Sequence, residues 1–280
     1  MGGHDRAGHG VLPRRARSRF AGGGAGGLPQ RRSSGDRSRR HARPDSRDAR
    51  VLDRDDRGRG CPVRRGAVAE GVDYVKGIAE APGDGGPPAE ALQALVDAAR
   101  ERGLDTVLHA ATPGAYHLAV ATGARFVTHV PTVGRIAAEN VAAMKAAGQT
   151  AVPTLTMMEA ALARFAGAAG DFVANAAALH AAGVEILAGT DANAQPGAPA
   201  EVAHGSSLHR EFELLAEAGL TPAEILRAAT VDPARAFGLT DRGEIRPGLR
   251  ADLILVEGDP VADLSATRAI RAVWCAGTGI

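Results

Sequence analysis

The sequence is poor in several things. Only two of its 280 residues are cysteine, Cys61 and Cys275, which excludes a disulfide framework and a zinc ribbon built on paired thiolates. No apolar run approaches the roughly 20 residues that a membrane-spanning helix needs, so no membrane partner is expected. Lysine is nearly absent: Lys76 and Lys145 stand against 31 arginines. No His-x-His pair occurs anywhere. The net charge is only +1, without the excess of one sign that marks a nucleic-acid binder, and no nucleic-acid partner is expected.

That average conceals a division. Residues 1–65 carry 18 Arg and 7 Asp with no Glu or Lys, whereas residues 66–280 carry 15 basic and 25 acidic groups. The first segment is therefore +11 and the second −10. Only 15 of the first 65 residues are hydrophobic, none of them Ile, Tyr or Trp. Arg14-Arg15 followed by Phe20 and a Gly/Ala run lacks the apolar stretch of a twin-arginine signal or the character of a transit peptide, so the cytoplasm is the expected compartment.

From Val72 onward, short apolar strands alternate with helices. Strands are expected at 72–75, 106–108, 125–128, 151–155 and 184–188. Helices are expected at 89–102, 115–121, 136–147 and 171–182, with a further helix at 208–218. Leu92, Leu95, Val96 and Ala99 share one face at helical spacing, and Gly103 closes that helix. Thr221-Pro222-Ala223-Glu224 spells a capping box with proline at the first helical position. This alternation predicts an α/β fold with a parallel sheet. Its unit length matches a TIM-like (β/α)8 barrel, of which about five of eight units are present. The expected division is residues 1–65, then a partial barrel over 66–240, then a β-sandwich remnant over 241–280, too small to bury a core alone.

The chemistry is expected at the strand ends. Lys76 ends the first strand, His109 the second, His129 the third, and Asp191 follows the fifth. In a parallel barrel these ends converge on the face where active sites are built. Two imidazoles and a carboxylate gathered there suit zinc or a similar divalent metal. In a chain so poor in lysine, Lys76 is not filler. A buried unpaired ammonium would be costly, and its conversion to a carbamate would make an anionic oxygen ligand. The other residues read more plainly. His117, His180, His204 and His209 read as solvated or capping groups, and Lys145 lies on the polar side of its helix. Ser206 and Ser207 read as a helix N-cap, since no Gly-x-Ser-x-Gly elbow surrounds them.

Residues 66–280 resemble the metal-dependent amidohydrolase superfamily, in particular its imidazolonepropionase-like and Xaa-Pro dipeptidase-like members. The matching segments are Gly71 to Lys76, Val107-Leu108-His109-Ala110, Val127-Thr128-His129-Val130 and Ala188-Gly189-Thr190-Asp191-Ala192. Gly219-Leu220-Thr221-Pro222, Ala228-Ala229-Thr230, Gly243 to Gly248, Ala251-Asp252-Leu253 and Gly258-Asp259-Pro260 extend the match. The resemblance implies hydrolysis of a C–N bond, in a small amide, cyclic amide or dipeptide-like substrate, by a metal-bound hydroxide. Lys76 would be a carboxylated lysine bridging two metals or binding one, and His109 and His129 would hold the second. Asp191 would bind the first metal and act as general base. The metal implied is zinc, as one or two ions. The pattern departs from the family at one point: the His-x-His pair that completes the first metal site is missing. An inactive fragment that serves only as a binding module is the alternative, and homo-oligomerisation is left open.

Residues 1–65 have the Arg, Gly, Ala, Pro and Ser bias of GC-rich DNA read out of frame. Shifted by one nucleotide, the codons of Gly2 to Gly10 permit Gly-Val-Thr-Thr-Val-Arg-Asp-Thr-Gly. That resembles the segment which, in the family, lies between the His-x-His strand and the lysine strand. A one-base insertion or deletion near residue 65 is the expectation, with the His-x-His encoded upstream. The competing reading is a genuine arginine-rich arm for RNA or acidic partners. Phe20 is its only stacking side chain, which counts against RNA.

Overall fold

The computed structural model describes residues 72–80, 86–165, 170–195 and 200–280; the arginine-rich residues 1–65 lie outside the described residues. The elements run β1 (Tyr74–Ile78), α1 (Ala89–Arg100), β2 (Asp105–His109), α2 (Pro113–Ala121), β3 (Phe126–Thr128), α3 (Ala138–Ala146) and β4 (Thr150–Val152). Then come α4 (Leu155–Phe165), α5 (Phe172–Ala181), β5 (Glu185–Ile186), α6 (Ser207–Glu217), α7 (Pro222–Ala229) and α8 (Val231–Ala236). Among the described residues no helix is long and apolar enough to cross a membrane.

The five strands pair in parallel in the order β1-β2-β3-β4-β5. Each crossover between parallel strands is right-handed for steric reasons, so strands added always on the same side carry their helices to one face. A doubly wound sheet would reverse its order and cover both faces. The observed connectivity is that of a barrel, and it gives five successive β/α units.

Side-chain alternation along the strands separates two cores. Leu108, Val127, Ala151 and Ile186 point outward and join Leu92, Leu95, Val96, Tyr116, Met144 and Leu179 between sheet and helices. Phe126 and Leu187 form a smaller inner cluster with Ala236 of α8, and Val107 and Val152 pack against it. The Phe237 ring stacks on Phe126 at 4.8 Å and lies 6.1 Å from Tyr74, so the chain following α8 abuts the inner side of β1 and β3. Gly77 is needed where α1 crosses β1. A Cβ there would lie 2.7 Å from Leu95 Cδ2 and 2.8 Å from Leu108 Cδ2.

Beyond residue 241, β6 (Leu253–Val256), β7 (Ile270–Cys275) and β8 (Thr278–Gly279) form one antiparallel three-stranded sheet. A 3-10 turn, Leu264–Arg268, docks it onto α6. There His209 Nδ1 hydrogen-bonds with Thr267 Oγ1 at 3.0 Å, and Arg268 reaches the Glu213 carboxylate at 2.6 Å.

Several expectations need correction. Lys76 does not end its strand: β1 runs on to Ile78, and Lys76 pairs with Val107 in mid-strand. The helix α4 is unforeseen, since the strand expected over 151–155 stops at Val152. Ser206 occupies the N-cap of α6, but its side chain makes no cap hydrogen bond, and the buried Ser207 hydroxyl has no partner among the described residues. The capping box at Thr221 and Glu224 is formed as expected.

Candidate active site

The barrel geometry brings the expected residues together. On β1 the outward side chains are Val75 and Gly77, which face α1, so Lys76 projects to the inner side. On β2 the same alternation puts Val107 in the inner cluster and His109 two residues further towards the C-terminal end. His129 follows β3 directly, and its Nε2 lies 3.0 Å from His109 Nδ1, with the two rings edge to face at 4.7 Å. Asp191 follows β5 by five residues at a φ of 49°. It is close enough to Lys76 for each charge to act on the other.

Burial governs the electrostatics. It lowers the Lys76 ammonium below its ordinary range, an effect that Asp191 opposes. It raises the Asp191 carboxyl, an effect that Lys76 opposes. His109 is held down to about 4, first by burial and then by the Lys76 charge. His129, only 3% exposed, is lowered well below the ordinary imidazole range by burial, then by His109 and Lys76. At neutral pH both imidazoles are uncharged and keep a lone pair, which is the ligating form of histidine.

Two neighbours escaped the sequence reading. Thr154 Oγ1 hydrogen-bonds with His129 Nδ1, with Thr128 Oγ1 a longer 3.3 Å away. Glu80 Oε1 lies 3.4 Å from His109 Nε2. Both follow strand ends, Thr154 after β4 and Glu80 after β1, so the rule that points to the histidines would have found them. Three other described histidines keep structural roles. His117 meets Asn140 Oδ1 at 2.9 Å, His180 lies 3.9 Å from Glu224, and His209 ties α6 to the small sheet.

The donor set suits one divalent ion. Two neutral imidazole nitrogens face each other, and a lysine and a carboxylate sit close by. Among the described residues no group of three or more His, Cys, Asp and Glu is gathered in a metal-holding arrangement.

Residues 62–279 match the model of the Amidohydrolase family. The chain belongs to the amidohydrolase family. It is 32% identical over 197 residues to an imidazolonepropionase of Deinococcus deserti, covering 68% of this chain and 45% of the relative. It is 36% identical over 208 residues to an imidazolonepropionase of Cereibacter sphaeroides, covering 73% of this chain and 48% of the relative. The chain thus spans about half the length of these amidohydrolase relatives. Among solved structures, a Xaa-Pro dipeptidase with methionine bound in its active site superposes with a TM-score of 0.64 at 22% identity. That match covers 77% of this chain and 56% of the other, and it supports the fold.

Proposed function

We propose that this amidohydrolase chain acts in the metal-dependent hydrolysis of a C–N bond in a small amide, cyclic amide or dipeptide-like substrate. The observation that carries the reading is the meeting of His109 and His129, both held neutral, beside the coupled pair Lys76 and Asp191. The names of the relatives, imidazolonepropionase and Xaa-Pro dipeptidase, support the substrate class.

His109 and His129 would hold a divalent ion, zinc being suited to imidazole nitrogen. Lys76, carboxylated, would add an oxygen ligand. When bound, the ion acidifies a water molecule and polarises the scissile carbonyl. Asp191 would accept the proton from that water and deliver it to the leaving nitrogen. Partial burial lifts its carboxyl towards the range where it can both take and give a proton. The inner cluster of Val107, Phe126, Val152 and Leu187 would give the site an apolar floor on its barrel side.

Metal analysis of the full chain, paired with amidase and dipeptidase assays, tests this reading. Bound metal and a turnover abolished by Asp191→Asn are the expected results. A metal-free, inert protein overturns the reading. Metal uptake with no turnover leaves a binding module, the alternative that the missing His-x-His pair favours.

A further inference from the structure

The helix α4 begins in an unusual way. Thr154 is its N-cap residue, since its carbonyl accepts the N–H groups of Met157 and Met158 at 3.0 and 3.1 Å. A threonine there ordinarily turns its hydroxyl back onto the N–H groups of the first turn. In this chain the Thr154 hydroxyl points away and meets His129 Nδ1 instead. Its backbone is left-handed, with a φ of 50°, a conformation that β-branched residues avoid and that persists only where the surroundings impose it.

Another residue caps the helix. Glu211 of α6 is completely buried. Its Oε1 accepts the Leu155 N–H at 3.0 Å, and its Oε2 accepts the Thr156 N–H at 2.8 Å and the Thr156 hydroxyl at 2.9 Å. The carboxylate therefore satisfies the exposed donors of the first turn and sits at the positive end of the helix dipole. A group 55 residues away in sequence performs the capping and releases Thr154 from it.

We propose that Glu211 is a positioning residue for His129. By capping α4 in place of Thr154, it keeps the Thr154 hydroxyl on His129 Nδ1 and leaves His129 Nε2 directed at the site. Partners of this kind on the far nitrogen of a ligating histidine are worth about 10–100-fold in metal affinity. The metal effect rests on the proposed function, whereas the orientation of His129 does not, and the test separates the two.

The test uses the full chain with isotope-labelled histidine, its His129 ring resonances assigned by loss in His129→Asn. The variants are Glu211→Gln, Thr156→Ala, Thr154→Val and Thr154→Ser, with zinc affinity measured in parallel by competition with a chromophoric chelator. Glutamine matches the shape of Glu211, but its amide nitrogen opposes one of the donors that the carboxylate accepts. Glu211→Gln and Thr154→Val are expected to shift the His129 ring nitrogens alike and to weaken zinc binding at least tenfold. Combined with Thr154→Val, Glu211→Gln should add nothing further, and Thr154→Ser should restore the wild-type signal. A His129 signal unmoved by Glu211→Gln, or effects that add in the double variant, overturns the proposal. If Glu211→Gln fails to fold, Thr156→Ala, which removes one of the three bonds, decides by the same double-variant comparison. A wild type that binds no zinc, yet shows the His129 shift in Glu211→Gln, sustains the positioning role and overturns the metal reading alone.

Discussion

His129 Nε2 lies 3.0 Å from His109 Nδ1, and the Lys76 charge helps to keep both rings unprotonated. Two neutral imidazoles facing each other would make a pair of ligands in the proposed site. His109→Ala and His129→Ala are each expected to weaken zinc binding beyond the roughly 10–100-fold that outer partners contribute. Chelator competition on the purified variants measures this. The helical His117, replaced by alanine, should leave the affinity unchanged.

In the proposed site Lys76 would supply the remaining oxygen as a carbamate, and burial favours the uncharged amine that attacks carbon dioxide. Bicarbonate is expected to raise metal affinity in the wild type and to have no effect on Lys76→Ala. Labelled bicarbonate should give a carbamate carbon signal by NMR that is missing from the variant. Affinity indifferent to bicarbonate would remove the carbamate from the account.

Glu211 gives a stability signature of its own. Burial lifts its carboxyl to about 7 against the pull of three hydrogen-bond donors. The folded state therefore binds this proton more tightly than the unfolded chain. Its stabilising contribution is full below about pH 4 and is lost as the pH rises through about 7, in total about 3 kcal/mol. Thermal melts from about pH 5 to pH 8 should fall more steeply for the wild type than for Glu211→Gln. Parallel curves would show that the carboxyl does not titrate in this window.

Gly77 is a packing prediction. The Cβ of Gly77→Ala would press on the Leu95 and Leu108 methyl groups, and overpacking of this kind costs about 1–3 kcal/mol. Urea denaturation should show a lower midpoint with an unchanged slope. The pressure falls beside Lys76, so bicarbonate-dependent metal binding should weaken as well.

The alternation of strand and helix could be read from the sequence because each strand is a short apolar run beside a helix with one apolar stripe. The same reading points to His109, His129 and Asp191, since polar groups at successive strand ends have few structural reasons to be there. The start of α4 was hidden for a definite reason. Ala151 to Met158 is an almost unbroken apolar and β-branched run, and the helix lacks a cap of its own because Glu211 arrives from α6. A start signal supplied from 55 residues away has no local trace. Apolar character gives way at Lys76, which suggests a strand end, whereas the ladder with β2 continues to Ile78 paired with His109.

The docking of the small sheet acquires a further meaning through α6. On one side this helix presents Glu211 to the first turn of α4. On the other, His209 and Glu213 grip the turn that leads into β7. The helix acts as a tie rod between the two sheets, so its tilt is set partly by the C-terminal forty residues. If Glu211 positions His129 as proposed, loosening that remote anchorage would reach the His129 imidazole through Glu211 and Thr154.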